Sequence, residues 1–106
     1  MLYRFKSRAA ADLLMLEPVG RRLLEAIGRE PAAQGIFESE HLPELIRRLE
    51  QAVQADEAHW AAAEAQAAAQ GQILSRPEVS LRQRLWPMRE MMRRCQAEQQ
   101  PITWGV

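Results

Sequence analysis

Arg82, Trp86, Arg89 and Arg93 are the residues of this chain whose types and spacing come closest to a binding chemistry. At 100° per residue on a straight helix, the three arginines project within about 40° of one another, with the indole beside them. Such a stripe can grip phosphate by charge and stack a base, as single-strand binders and RNA modules do. The competing reading is a solvated helix face with Trp86 tucked into the core, and Pro87 disturbs the straight-helix geometry.

A second pair of residues stands out by position. Arg84 falls inside the apolar arc of Leu81, Met88, Met91 and Cys95, where a guanidinium must snorkel outward or find a carboxylate. Asp56 falls inside the arc of Leu49, Val53 and Trp60, so the two are expected to face each other across a helix pair as a structural ion pair that fixes register. The C-terminal carboxylate of Val106 is another candidate partner for Arg84.

The remaining chemistry is thin. His41 and His59 are the two histidines, and Asp56 with His59 offers two ligands on one turn, which do not make a metal site. Cys95 lies on an apolar helix face, where a thiol is an inert small hydrophobe, and Ser39 and Ser80 read as helix caps. Gly20, Gly28, Gly35, Gly71 and Gly105 are scattered singly, whereas a phosphate-cradling loop needs them clustered between strand and helix. No catalytic residue, metal ligand or cofactor is assigned on these grounds, and an enzyme of unknown type is the third of three functional readings.

The elements that must position these residues fit within 106 residues, the size of one domain, with 47% hydrophobic and 26% charged residues as in ordinary globular chains. The net charge of zero conceals a pattern. Residues 1–29 carry six basic and three acidic side chains, residues 30–70 two and eight, and residues 71–106 six and three, so an acidic middle lies between two basic ends. Internal complementarity with solvated faces is the plain reading, and a basic patch for an anionic partner the sharper one. One cysteine excludes an internal disulfide framework and suits a reducing compartment. Arg4, Lys6 and Arg8 interrupt the N-terminus, and the apolar run Leu13–Leu16 is too short for a signal peptide or a membrane span, so the expected location is the cytoplasm.

Both ends read as β-strand. Leu2 to Ser7 alternates apolar and polar residues, and Ile102 to Val106 carries β-branched and aromatic types. Asp12 to Glu17 is an apolar run that fits a second strand or an early helix, and the strand is favoured because Pro18 disfavours helix at Glu17 and suits the start of a helix over about Pro18 to Ile27, stopped by Gly28. Gly35 to Glu38 reads as a short extended piece, and Ser39 as the cap of a long second helix with apolar face Leu42, Leu45, Ile46, Leu49, Val53 and Trp60. Residues 61–71 of that helix, rich in Ala, have little to bury and are expected to project and fray. Ser80 to Gln83 matches a capping box at the start of a third helix, which Pro87 should kink and Pro101 ends. The expected fold class is α+β: a small, mostly antiparallel sheet formed by the N- and C-terminal strands, packed on one face by three helices, as a single domain over 1–106.

Leu2-Tyr3-Arg4-Phe5-Lys6-Ser7, Val79-Ser80-Leu81-Arg82-Gln83-Arg84-Leu85-Trp86-Pro87 and Thr103-Trp104-Gly105-Val106 together resemble a small uncharacterised bacterial family, a domain of unknown function. The likeness covers the whole chain apart from the Ala-rich stretch after Trp60. It implies one stand-alone domain, and it brings no substrate, cofactor or catalytic residue with it.

A short sheet with free edges and a helix rich in methionine, Met88, Met91 and Met92, suggests a partner-binding surface. The leading expectation is therefore a non-enzymatic protein-interaction module, binding an unknown protein or itself through a sheet edge or the third helix. Binding of nucleic acid or another anion at Arg82, Trp86, Arg89 and Arg93 is the alternative, and no membrane is expected as a partner.

Overall fold

The alternation at the N-terminus places Tyr3 and Phe5 on one face of β1 (Leu2–Lys6), where both are buried, and turns Leu2, Arg4 and Lys6 to the other. The computed structural model describes residues 2–105. Its other elements are β2 (Leu13–Leu16), α1 (Glu17–Ala26), β3 (Gly35–Phe37), α2 (Leu42–Ala69), α3 (Leu81–Ala97) and β4 (Ile102–Trp104). The strands form one antiparallel sheet in the order β2-β1-β4-β3, so the expected pairing of the two ends of the chain is its central ladder, with Phe5 opposite Trp104.

One strand was not expected in the sheet. Gly35–Phe37 pairs with β4, Ile36 opposite Thr103, and makes the second edge. Three residues are too few to show a period, and the strand opens on a glycine because the Trp104 ring lies where a Cβ at Gly35 would be. The indole N–H donates to the Ala32 carbonyl at 2.9 Å, which ties the loop before β3 to the sheet.

The inner face carries Tyr3, Phe5, Met15, Phe37, Ile102 and Trp104, which join the apolar faces of the helices in one core. Four aromatics run across it: Tyr3 stacks near Phe5 at 6.0 Å, Phe5 near Phe37 at 6.1 Å, and Trp104 tilts against both phenylalanines. Met88, Met91 and Met92 are buried in this core. The methionines therefore fill the space between α3 and its neighbours, and the expected partner surface on that helix does not reach solvent.

Ser80 caps α3 as expected: its hydroxyl accepts from the Gln83 N–H, and the Gln83 side chain accepts from the Ser80 N–H. Ser39 does not cap α2. It opens a 3-10 turn over Ser39–His41, and Pro43, with no N–H to satisfy, occupies the first turn of the helix instead. Pro87 lies inside the continuous span of α3, where it removes one main-chain donor.

Each helix ends in the same way. After α1 and α2, Gly28 and Gly71 take positive φ, and the following N–H reaches back to the carbonyl five residues earlier: Arg29 to Leu24 and Gln72 to Ala67, both at 2.8 Å. After α3 the same hydrogen bond joins Gln100 to Cys95 at 2.9 Å, but the left-handed residue is Gln99, at φ 55°.

Candidate functional site

Glu50, Glu57 and Glu64 are spaced by seven along α2, so they recur on one side of it, and each meets an arginine from the returning chain. Arg89 directs Nε and Nη2 to Glu50 Oε2 at 3.0 and 2.8 Å. Arg82 grips Glu57 with both branches, at 2.8 and 2.9 Å. Arg76, in the loop before α3, pairs with Glu64. These three rungs bind the antiparallel α2 and α3 along their shared seam and hold the loop against the Ala-rich end of α2.

Trp86 lies between two of the rungs. The Arg82 and Arg89 guanidiniums sit over its ring, 4.4 and 4.5 Å from the centre, which fixes the indole half-buried against them. Hydrogen bonding to Arg82 holds the Glu57 carboxyl below the ordinary glutamate range, and bonding to Glu50 and then Glu90 raises Arg89. The stripe is thus brought together as its spacing predicts, but the charges of Arg82 and Arg89 are matched by carboxylates of α2. Arg93 is exposed, and among the described residues it makes no ion pair. The seven-residue spacing of acids on α2 and of Arg82 and Arg89 on α3 was the available signal for this seam; reading the arginines alone missed it.

Asp56 and Arg84 line one cleft without pairing with each other. The Asp56 carboxylate takes Arg22 of α1 at 3.6 Å, and Arg84 is exposed. The expected cross-helix pair is replaced because α1 approaches the same stretch of α2 and supplies a nearer cation. The cleft, about 590 Å³, is also lined by Leu16, Val19 and Trp60. Val106, the other candidate partner of Arg84, lies outside the described residues.

The other sequence candidates stand apart. His41 is exposed in the 3-10 turn, and His59 is exposed with its ring edge-on to Trp60 at 5.4 Å. Cys95 is fully buried in the core. Among the described residues, no three histidines, cysteines or carboxylates come together as metal ligands. None of the described helices is long and apolar enough to cross a membrane.

The remaining surface feature is the outer face of the sheet. Leu2 lies opposite Leu16, Arg4 opposite Leu14, and the three leucines are 49%, 67% and 49% exposed respectively for Leu2, Leu16 and Leu14. Ile36 is exposed on the same face at the far edge. Arg4 reaches Asp12 at 3.4 Å along the rim of this patch. The arrangement offers apolar contact on one half of the sheet.

No curated protein and no solved structure matches this chain. A family model does, from residue 1 to residue 104, and its description is a domain of unknown function, DUF1840. With that match running over nearly the whole length, and over both terminal strands and the third helix that suggested a family at the outset, the chain belongs to the DUF1840 family.

Proposed function

We propose that this domain is a non-enzymatic protein-interaction module that docks through the outer face of its sheet. One observation carries the reading: Leu2, Leu14 and Leu16 form an apolar patch on a face that no helix covers, with Ile36 exposed on the same face at the far edge, while Tyr3, Phe5, Met15, Phe37, Ile102 and Trp104 are packed inward. The alternative, an anion or nucleic-acid site at Arg82, Trp86, Arg89 and Arg93, needs free guanidiniums, and two of the three are held by Glu57 and Glu50. A lone buried thiol, Cys95, supports a reducing compartment such as the cytoplasm as the setting.

Light scattering over a concentration series and affinity capture, each run on the wild type and on a Leu2→Ser/Leu16→Ser variant, test this reading. Self-association or capture of a defined partner that the variant loses supports it. A wild type that stays monomeric and captures nothing the variant fails to capture overturns it.

A further inference from the structure

The outer face of the sheet changes character along its strands. The register sets Leu2 beside Leu16 at one end, Arg4 beside Leu14 in the middle, and Lys6 beside Thr103 at the other end, with Ile36 on the far side of Thr103. Arg4 and Lys6 are cationic, and no outward residue of the strands is acidic. Past Lys6 the chain turns through Ser7 and Arg8, and a concavity of about 600 Å³ opens between Lys6, Arg8, Asp12 and Thr103. Asp12 already meets Arg4 at 3.4 Å, while Lys6 and Arg8 are exposed and in no ion pair among the described residues. Over the length of β1, about 13 Å at 3.3 Å per residue, the face thus runs from leucine to unmatched positive charge.

We infer that the occupant of this face is an acidic amphipathic helix of another protein, with its apolar side on Leu2, Leu14 and Leu16 and its carboxylates at Lys6 and Arg8. This names the partner chemistry for the interaction reading above and rests on it. Covering the leucines takes water from the neighbouring cations, so the occupant that fits is one that brings carboxylates to them. A second copy brings none. In a face-to-face two-fold pair the axis lies between the sheets: directed along the strands it sets Lys6 and Arg8 against the same cationic end of the mate, and directed across them it sets them against Leu2 and Leu16. Asp12, the acid in the concavity, is engaged by Arg4 in either case. The apolar residues stand on the face rather than along an edge, so an added strand leaves them bare. A helix laid on the sheet covers them, as helices cover the inner face, and roughly nine residues of helix match the length of β1.

Selection of a random peptide library, roughly four helical turns long and displayed on phage, against the immobilised full chain tests the partner chemistry. Enriched peptides are expected to carry Asp or Glu beside Leu, Ile or Phe at helical spacing, and a synthetic copy of the most enriched one to shift the wild-type amides of β1 and β2 in NMR spectra. Its Kd should rise at least about tenfold in Lys6→Glu/Arg8→Glu, and likewise in Leu2→Ser/Leu16→Ser. All four positions are exposed, and the wild-type amide shifts locate the site independently of the variants. Peptides that need the leucines but carry no excess of acidic residues and ignore Lys6→Glu/Arg8→Glu overturn this inference and leave the interaction reading standing. Peptides that ignore both variants, or no enrichment at all, overturn both. Co-sedimentation of the chain with phosphatidylserine vesicles but not phosphatidylcholine vesicles, lost in Lys6→Glu/Arg8→Glu, assigns the face to an anionic lipid surface and overturns the helix.

Discussion

The guanidinium of Arg89 lies 4.5 Å from the centre of the Trp86 ring, and its ion pair with Glu50 on the neighbouring helix holds it there. Arg82 repeats the arrangement with Glu57. The tryptophan is thus part of the α2–α3 seam, and Trp86→Ala should destabilise the domain by about 2 kcal/mol through lost contact area and two lost cation–π contacts. Chemical denaturation with an unchanged slope checks this.

The matched charges make a second expectation. Wild-type protein should give no mobility shift with single-stranded RNA at low ionic strength, whereas Glu50→Gln/Glu57→Gln, which leaves Arg82 and Arg89 without their carboxylates, should give a weak shift abolished by salt. A shift by the wild type that Arg93→Met and Arg82→Met weaken would restore the stripe as a binding site.

Acidification should loosen the seam. Arg82 holds the Glu57 carboxyl below its ordinary value of 4.5, and Arg47 with Arg48 does the same for Glu44. The folded chain therefore takes up these protons less readily than the unfolded chain. The stabilisation is fully present above the ordinary value and is lost as the pH falls through the lowered one. Melting temperature against pH should drop more steeply below 4.5 in the wild type than in Arg82→Met.

Gln99→Gly should raise stability by about 1 kcal/mol, since Gln99 holds the left-handed position that glycine fills after the other two helices. Gly71→Ala, at the corresponding place after α2, should lower it by a similar amount. Thermal melts of the two variants beside the wild type measure the difference.

Gly35→Ala drives a Cβ into the Trp104 ring and should cost about 2 kcal/mol, as overpacking of a well-filled site does. Near-ultraviolet circular dichroism, sensitive to the indole's surroundings, should change together with the melting temperature.

Much of this architecture was legible in the chain. Alternation over Leu2–Lys6 and the aromatic, β-branched character of Ile102–Trp104 marked both central strands, and Ser80 with Gln83 marked the start of α3. β3 was not legible as part of the sheet, because a three-residue strand beginning with Gly35 acquires its identity from the Trp104 ring above it. Asp56 and Arg84 lie on the apolar arcs of adjacent helices, which suggests a pair; the actual partner of Asp56, Arg22, comes from α1, whose approach no single-helix projection contains. The arginine stripe was found by helical geometry and its neutralisation was not, since a projection of α3 alone says nothing of Glu50 and Glu57. The outer leucines looked like ordinary strand residues until the sheet order placed Leu2 opposite Leu16 with no helix above them.

The placement of β4 between β1 and β3 sets the sequence of events during synthesis. The hairpin of β1 and β2 can form as soon as Leu16 leaves the ribosome, but β3 has no neighbour until residues 102–104 emerge, after both long helices have been made. In the interval, the 64 residues between Phe37 and Ile102, the nascent chain holds Phe5 and Phe37 without the indole that will lock them together.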